Sequence, residues 1–225
     1  VGVHIVRRKE GEDRETCRGD AERESHSFAQ HEGADREAAF FPQQPGIVAA
    51  VTGTNGKSST VDFLRQVWVS MGRKAASMGT LGAIGPSGVI DLGHTTPDPV
   101  AIHETLHKLA GEGVTHAAIE ASSHGLAQYR LHGVKLAAGA FTNLTQDHLD
   151  YHKDFDDYRR AKMKLFSDLL PAGAPAIVNA DSPELEAFET VAREARLKTF
   201  TVGWRGRDLR ISEALSLTRR DAPRA

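Results

Sequence analysis

The sequence predicts an α/β fold in which a mostly parallel sheet is flanked by helices and carries a phosphate-binding loop after its first strand. Short apolar segments alternate along the chain with stretches of helical periodicity, which is the pattern of βαβ units. A glycine-containing turn also separates the first such segment from the first helix. Strands are expected at Ile47–Thr52, Ala75–Met78, His116–Ala121, Ala138–Thr142, Ala176–Asn179 and Thr199–Val202, with a further short strand near Leu209–Ile211.

Four helices are expected between these strands. The first has its apolar residues at helical spacing, at Val61, Leu64, Val67, Trp68 and Met71. The Asp98 side chain can cap the second helix, and Pro183 suits the first turn of the fourth. The predicted helices run from the glycine turn to Gly72, from Asp98 to Glu112, from about Asp154 to just before Pro171, and from Ser182 to about Glu194.

The most informative segment follows Ile47–Thr52, where Gly53-Thr-Asn-Gly56 leads directly into Lys57 and Ser58. Backbone N–H groups of such a turn surround phosphate groups, and the start of the next helix adds the positive end of its dipole. The lysine of this pattern reaches the β- and γ-phosphates, and the hydroxyl group binds Mg²⁺. Val51 occupies the place of the pattern's first glycine, and so short a match also occurs in turns without function. The strand before it and the helix after it favour a site for ATP or GTP.

The composition favours a globular protein with a small-molecule substrate. The 225 residues include 28 Lys and Arg among 30 Asp and Glu, for a formal net charge of −2. Binding to a phosphate backbone needs a concentrated basic face, so no nucleic-acid partner is expected. Cys17 is the single cysteine, which excludes an internal disulfide, and no apolar run is long enough for a signal segment or a membrane span. We expect a cytoplasmic monomer without membrane insertion.

The chain is expected to form one main domain with atypical ends. Residues 1–38 are dominated by charged and small side chains, which bury too little apolar surface to offset chain entropy. They are predicted to be poorly ordered. The main domain is predicted over residues 39–212, and residues 213–225 are predicted to be a tail.

A first cluster of polar residues lies where the strand that begins at His116 is expected to end. The segment Glu120-Ala-Ser-Ser-His-Gly125 carries a carboxylate, two hydroxyl groups and an imidazole. Ligands of open α/β sheets bind beyond the carboxyl ends of the strands. Glu120 is a candidate Mg²⁺ ligand, because this ion usually takes one or two carboxylates together with phosphates. The alternative is a strand-end carboxylate that pairs with a neighbouring cation.

A second polar cluster follows the strand that begins at Ala138. Asp147, His148, Asp150 and His152 lie close together there, and these residue types bind metals or transfer protons. The alternative is that the two aspartates cap short helical turns while the two histidines lie at a wet surface.

Three further groups are less informative. Thr95-Thr-Pro-Asp-Pro99 lies in a long loop, which could face a substrate or be only a turn. Lys162 lies among apolar residues of the predicted third helix, where a lysine usually lays its stem along the core and exposes its ammonium group. Three histidines are expected at the surface without a role, at positions His103, His107 and His132.

Six segments occur together in the order found in one enzyme family. They are Thr52-Gly-Thr-Asn-Gly-Lys-Ser58, Thr95-Thr-Pro-Asp98, Glu120-Ala-Ser-Ser-His-Gly-Leu126, Phe141-Thr-Asn-Leu-Thr-Gln-Asp-His-Leu-Asp-Tyr-His152, Tyr158-Arg-Arg-Ala-Lys162 and Asn179-Ala-Asp181. Over roughly residues 40–210 the chain resembles the central ATPase domain of the Mur ligases of peptidoglycan synthesis, in particular the branch that adds the third amino acid. The missing first glycine agrees with that family.

The resemblance implies a set of ligand-binding and catalytic residues. It implies that Asn179 lies near the adenine of ATP, that Ser58 and Glu120 bind one Mg²⁺, and that His148 and Lys162 serve a second. The family's lysine at the position of Lys162 is carbamylated by CO₂, and Lys57, Lys162 and His148 are the implied catalytic residues. The implied ATP-binding residues are Gly53, Thr54, Asn55, Gly56, Lys57, Ser58 and Ser59.

The resemblance also implies a reaction. The γ-phosphoryl group of ATP is transferred to the terminal carboxylate of a UDP-MurNAc-dipeptide, which gives an acyl phosphate. The amine of meso-diaminopimelate or L-lysine then attacks it, yielding an amide, ADP and phosphate. Such chemistry requires positioning and charge neutralisation rather than a protein nucleophile. The implied contacts to the dipeptide substrate are Thr95, Thr96, Ser122, Gln128 and Arg130.

The chain departs from the family pattern at both ends. Residues 1–39 have no recognisable likeness to the family's N-terminal domain, and the family's C-terminal ligase domain is expected to be absent after residue 212. The chain by itself is therefore expected to show weak or no turnover. Two alternatives stay open, namely a nucleotide-binding remnant without turnover and another Mur-type or folate-type ligase with a different substrate.

Overall fold

The computed structural model describes residues 40–145 and 151–213. Over these residues the chain forms a nine-stranded sheet whose spatial order is β4-β3-β2-β5-β1-β6-β7-β8-β9. The strands are β1 (Ile47–Thr52), β2 (Ala75–Gly79), β3 (Gly82–Gly85), β4 (Gly88–Ile90), β5 (His116–Glu120), β6 (Ala138–Phe141), β7 (Pro175–Asn179), β8 (Lys198–Gly203) and β9 (Leu209–Arg210).

Helices cover this sheet and connect its parallel strands. The described helices are α1 (Lys57–Ser70), α2 (Pro99–Gly111), α3 (Ser123–Ala127), α4 (Phe155–Lys164) and α5 (Leu185–Glu194), and a π-helical turn (Leu165–Leu169) continues α4. None of the helices in the described ranges is both long enough and apolar enough to cross a bilayer.

Strand β1 lies at the centre of the sheet, between β5 and β6, and is parallel to both. Strands β2, β7, β8 and β9 extend the parallel arrangement, whereas β3 and β4 pair antiparallel at one edge. The carboxyl ends of β2, β5, β1, β6 and β7 therefore meet along one edge of the sheet. The loops that follow these strands form the candidate site.

Alternate residues of the central strands enter two apolar clusters, one on each face of the sheet. Val48 and Ala50 of β1 join the larger cluster, to which α2, the π-helical turn and α5 contribute Leu106, Phe166 and Phe188. The opposite face carries a smaller cluster in which Val51, Val61 and Ala118 meet, with Leu64 and Trp68 of α1 packed against it. Burial on both faces explains why the parallel strands are nearly continuous apolar runs in the sequence.

The predicted fold class and all seven predicted strands are confirmed, with ends that differ by one residue or less. The predicted start of the fourth helix is wrong, because α5 begins at Leu185 rather than at Ser182. The Ser182 hydroxyl accepts a hydrogen bond from the Glu184 N–H at 3.2 Å, which stabilises a turn instead of the first helical residues. Strands β3 and β4 and helix α3 were not predicted.

The expected surface position of two histidines is wrong. His103 and His132 are 3% and 9% exposed, and the His103 Nε2 atom lies 3.1 Å from the carbonyl oxygen of His132. His103 belongs to the buried side of α2 together with Ile102 and Leu106. A polar partner for its ring makes this burial possible.

Several predictions fall outside the described residues. They concern the poorly ordered segment 1–38, most of the tail 213–225, and three residues of the second polar cluster, Asp147, His148 and Asp150. His152 of that cluster is described, and it is 2% exposed rather than at a wet surface.

Candidate functional site

The loop between β1 and α1 depends on two glycines. Gly53 has a φ of 148° and Gly56 a φ of 84°, values that side-chain-bearing residues rarely adopt. A Cβ atom on Gly53 would lie 1.9 Å from Thr142 Oγ1 and 3.1 Å from the Asn143 N atom. The absence of a side chain lets this loop pack directly against the residues that follow β6. Gly56 then caps the start of α1.

Residues after β6 hold the loop in place. The Thr54 N–H donates to the Asn143 carbonyl at 2.8 Å, and the Asn55 N–H donates to Asn143 Oδ1 at 3.0 Å. The Asn55 carbonyl accepts from Thr142 Oγ1 at 2.7 Å and from Asn143 Nδ2 at 3.1 Å. Both the N–H and the carbonyl group of Asn55 are therefore bound, and the residues that fix the loop lie about ninety positions later in the sequence.

Lys57 lies at the first position of α1 and folds back over the loop. Its Nζ atom donates to the carbonyl oxygens of Gly53 and Thr54, each at 2.9 Å. The ammonium group is thus held beside the N-terminal end of a helix, where an anion is favoured by the dipole.

A second lysine approaches the loop from α4. Lys162 is 1% exposed, and its Nζ atom also donates to the Gly53 carbonyl at 2.9 Å. It lies 4.4 Å from the ring centroid of Tyr158, a cation–π distance, and the Tyr158 hydroxyl lies 3.0 Å from Thr54 Oγ1. The common reading of an exposed ammonium group is therefore wrong for Lys162, which supports the loop from within the protein.

Glu120 is the last residue of β5 and is 1% exposed. Its Oε1 atom accepts a hydrogen bond from the Thr80 N–H at 2.9 Å. Its own carbonyl oxygen accepts from Thr96 Oγ1 at 2.8 Å. The carboxylate therefore lies between the end of β2 and the Thr95–Thr96 loop, on the same edge of the sheet as the phosphate loop.

The loop that carries Thr95 and Thr96 is fixed to the segment after β5. Besides its bond to Glu120, Thr96 Oγ1 accepts from the Ser122 N–H at 3.0 Å, and Thr96 is 1% exposed. Arg130 Nη1 donates to the Thr96 carbonyl at 2.6 Å, while Arg130 Nε donates to Gln128 Oε1 at 2.9 Å. Thr96 thus fixes the loop, and Gln128 orients the Arg130 side chain.

One cleft of about 500 Å³ joins these groups. Ten residues predicted from the sequence line it: Thr54, Asn55, Gly56, Lys57, Ser58, Thr95, Thr96, Glu120, Ser122 and Arg130. Five other described residues from the prediction are not part of this lining: Gly53, Ser59, Gln128, Lys162 and Asn179. Gly53 accepts a hydrogen bond from the lining residue Lys57, Gln128 accepts one from the lining residue Arg130, and Lys162 donates to Gly53, while His148 lies outside the described residues.

Asn179 is the last residue of β7. It contacts the segment after β6 that holds the phosphate loop, and it does not line the cleft. Its Nδ2 atom donates to the Thr142 carbonyl at 2.7 Å, and its Oδ1 atom accepts from the Asp181 N–H at 2.9 Å. Hydrogen bonds from the N–H of Trp204, and then that of Arg205, hold the pKa of Asp181 below its ordinary value of 3.8.

The cleft also contains residues to which sequence reasoning gave no role. Thr80, His94 and His124 line it, and the His124 ring lies 3.9 Å from that of Tyr151, centroid to centroid. Thr80 comes directly after β2, so the rule that ligands bind beyond strand ends could have found it. No group of three or more His, Cys, Asp or Glu side chains suited to a metal occurs within residues 40–145 and 151–213.

The family model for the Mur ligase middle domain matches residues 51–222, well over half of the chain. The chain belongs to the Mur ligase family. The match begins within β1 and includes the phosphate loop, Glu120, Arg130 and Lys162. The predicted family is thereby confirmed.

Two curated relatives of this Mur ligase chain carry the same name. UDP-N-acetylmuramoyl-L-alanyl-D-glutamate–2,6-diaminopimelate ligase of Chelativorans sp. (strain BNC1) is 54% identical over 175 residues, which are 77% of this chain and 36% of that protein. The ligase of the same name from Mesorhizobium japonicum is 54% identical over 75% of this chain and 35% of its own length. The chain thus spans about a third of the length of the curated relatives that it matches.

Solved structures agree with this family. A structure of UDP-N-acetylmuramoyl-L-alanyl-D-glutamate–2,6-diaminopimelate ligase matches with a TM-score of 0.64 and 34% identity, over 71% of this chain and 32% of that one. FolC of E. coli in complex with DHPP and ADP matches with a TM-score of 0.60 at 18% identity, over 75% of this chain and 45% of that one. The second likeness concerns the fold alone.

Proposed function

We propose that this chain is the ATP-binding central part of a ligase that joins 2,6-diaminopimelate to a UDP-MurNAc-dipeptide. This proposal rests on the observation that the phosphate loop, Glu120, the loop of Thr95 and Thr96, and Arg130 all line one cleft. Lys57 and Arg130 contribute positive charge to this cleft, which suits phosphate and carboxylate groups. The choice of amino acid rests on the names of the relatives that are about half identical to this chain.

The loop residues fit the phosphates of ATP. A Cβ atom on Gly53 would clash with Thr142, and a side chain on Gly56 would be strained by the positive φ of that residue. Helix α1, which has 14 residues, begins directly after Gly56. Backbone N–H groups there can surround phosphate oxygens, while Lys57 exchanges its carbonyl partners for them. Asn179 is proposed to lie near the adenine, since it ends β7, whose carboxyl end lies on the same edge of the sheet as the phosphate loop.

The donor set near the loop fits Mg²⁺, which prefers oxygen ligands. The Ser58 hydroxyl and the Glu120 carboxylate line the same cleft, and we assign both to one ion. The resemblance alone assigns His148 and Lys162 to a second ion, and Lys162 would have to be carbamylated to offer oxygen ligands, because its ammonium group donates to the Gly53 carbonyl. When bound, the ions neutralise the charge that develops on the transferred phosphoryl group.

The dipeptide substrate is assigned to the part of the cleft that is lined by the loop of Thr95 and Thr96 and by Arg130. Arg130, oriented by Gln128 and by the Thr96 carbonyl, is placed to bind an anionic group of the substrate. The Thr95 hydroxyl and the Ser122 side chain also line this side.

The proposed reaction begins when an oxygen of the substrate carboxylate attacks the γ-phosphorus of ATP and ADP leaves. The amine of diaminopimelate then attacks the acyl carbon, phosphate leaves, and the nitrogen loses a proton to give the amide. Lys57 offsets the negative charge on the γ-phosphate during the first step. The described residues thus supply position and charge rather than a nucleophile.

A domain exchange tests the ligase directly. Residues 51–222 of this chain would replace the matching part of the Chelativorans ligase, and the product formed from ATP, UDP-MurNAc-dipeptide and diaminopimelate would be measured. Amide formation is expected, and a matched exchange with Lys57→Ala should lower it by about 100-fold or more. A folded exchange protein that binds ATP without releasing phosphate would instead identify a nucleotide-binding remnant.

The second candidate is a folate-type amide ligase, favoured only by the fold shared with FolC. It predicts phosphate release with a pteroate-type acid and glutamate rather than with the UDP-linked dipeptide. Running both substrate pairs against the same exchange protein separates the two functions.

A further inference from the structure

The carboxylate of Glu120 lies directly across the Cα atom of Gly79, the last residue of β2. A Cβ atom on Gly79 would meet Glu120 Oε1 at 2.0 Å, Cδ at 2.4 Å and Cγ at 2.5 Å. Gly79 is fully enclosed within the strand end, and its φ is not among the positive values. Its lack of a side chain is therefore needed for space and not for backbone conformation.

Thr80 contacts the same carboxylate with both its backbone and its side chain. Its N–H donates to Glu120 Oε1 at 2.9 Å, and its Oγ1 atom lies 3.5 Å from Glu120 Oε2. That hydroxyl also lies 2.9 Å from Thr95 Oγ1. Thr80 consequently links the carboxylate after β5 to the loop that carries Thr95, and all three residues line the cleft.

We propose that Gly79 and Thr80 are positioning residues that fix the Glu120 carboxylate for a divalent cation and link it to Thr95 on the substrate side. This inference rests on the proposed function, because it takes Glu120 as the ligand of the Mg²⁺ that accompanies ATP. Gly79 provides the space in which the carboxylate lies, and the Thr80 N–H sets its rotation by binding one of its two oxygens.

Fixing the carboxylate before the cation arrives has a direct physical benefit. A carboxylate that rotates freely loses that freedom when it binds a metal, and the loss weakens binding. Hydrogen-bond partners that orient a metal ligand typically change metal affinity by about 10–100-fold. The link through the Thr80 hydroxyl extends this order to Thr95, so the metal side and the substrate side of the cleft share one hydrogen-bond chain.

The first test uses Gly79→Ala in the full chain, with the affinity for a non-hydrolysable ATP analogue measured by calorimetry in EDTA and across a Mg²⁺ titration. The added Cβ should displace the carboxylate and raise the half-saturating Mg²⁺ concentration about tenfold or more. The affinity for the analogue in EDTA depends on the phosphate loop and should stay within about twofold of the wild-type value. General damage to the fold would instead lower the affinity both in EDTA and in Mg²⁺. Gly111→Ala is the matched control, because a Cβ there meets nothing within 4 Å.

The second test separates the Thr80 hydroxyl from its N–H. Thr80→Val keeps the N–H and the shape but removes the hydroxyl, and it should raise the half-saturating Mg²⁺ concentration by about threefold, since the 3.5 Å contact is weak. Thr80→Ser should restore the wild-type value. In a Thr95→Val background the further change Thr80→Val should have a smaller effect than in the wild type, because Thr95 no longer holds the Thr80 hydroxyl beside Glu120.

The outcomes distinguish this inference from the function on which it rests. If the wild-type chain shows no Mg²⁺-dependent gain in analogue affinity, the proposed nucleotide site itself is wrong. If the wild-type chain shows the gain while a folded Gly79→Ala variant keeps an unchanged Mg²⁺ dependence, the positioning role is overturned and the nucleotide site stands. Equal losses with and without Mg²⁺ would likewise overturn it, since they indicate a merely structural glycine.

Discussion

Glu120 and Lys162 are charged residues of equal burial near one loop, yet their surroundings differ. Each is 1% exposed. Glu120 lines the cleft beside the phosphate loop, and a backbone N–H orients its carboxylate. Lys162 is not part of the cleft lining, and its ammonium group binds the Gly53 carbonyl and faces the Tyr158 ring.

The difference shows that burial of a charge does not by itself identify its role. The Glu120 carboxylate lines the cleft, where a bound cation would offset the free-energy cost of burying its negative charge. The Lys162 ammonium is satisfied by protein groups, so in this structure it acts on the shape of the loop. The two residues, assigned to metals by resemblance, should therefore respond differently to substitution.

Lys162→Ala should have the largest effect on stability. The change removes a donor to the Gly53 carbonyl and leaves a cavity beside Tyr158, which should lower the free energy of unfolding by about 2–4 kcal/mol. Urea denaturation followed by circular dichroism measures this. Lys198→Ala, at an exposed position of β8, should change it by less than about 0.5 kcal/mol. Equal urea midpoints for Lys162→Ala and the wild type would contradict the structural role of Lys162.

Glu120→Gln should leave stability nearly intact and act on cation binding. The amide oxygen still accepts from the Thr80 N–H, so the free energy of unfolding should change by less than about 1 kcal/mol. The loss of charge should lower the Mg²⁺-dependent gain in ATP-analogue affinity by about tenfold or more. Calorimetry with and without Mg²⁺ provides the measurement. A variant that unfolds as readily as Lys162→Ala would show that both charges are structural.

Asp181 is a more exposed carboxylate than Glu120, and its substitution should have the smallest effect on stability. Because N–H donors hold its folded-state pKa below 3.8, its charge favours the folded state at neutral pH. That contribution is present above the ordinary pKa and is lost as the pH falls through the lower folded-state value. Asp181→Asn should therefore lower the thermal midpoint slightly at pH 7, and the difference from wild type should disappear in strong acid.

A pair of thermal melts across this pH range tests the assignment. Glu104→Gln, at an exposed position of α2, serves as the control for the removal of one surface carboxylate. A difference between Asp181→Asn and wild type that persists undiminished in acid would contradict the role of the charge.

The sequence predicted the central strands well because each is buried on both faces. Ile47–Val51 is a continuous apolar run, and such runs are characteristic of parallel strands. Strands β3 and β4 were missed because Gly82–Gly85 and Gly88–Ile90 are short, and both begin with glycine. Helix α3 has only five residues, too few for a periodic pattern.

Strand ends also predicted most of the cleft, since Glu120 and the phosphate loop follow neighbouring parallel strands. The surroundings of Lys162 could not be predicted in this way. Its partner is a carbonyl oxygen 109 residues earlier, and no local spacing encodes that contact. The burial of His103 was likewise decided by a backbone carbonyl on another segment.

The Gly53 carbonyl oxygen is shared by the ammonium groups of Lys57 and Lys162. When Lys57 turns toward an arriving anion, this oxygen keeps its bond to Lys162, whereas the Thr54 carbonyl loses its bond to Lys57. Capture of an anion can therefore begin with the rotation of one side chain while the Gly53 end of the turn keeps a donor.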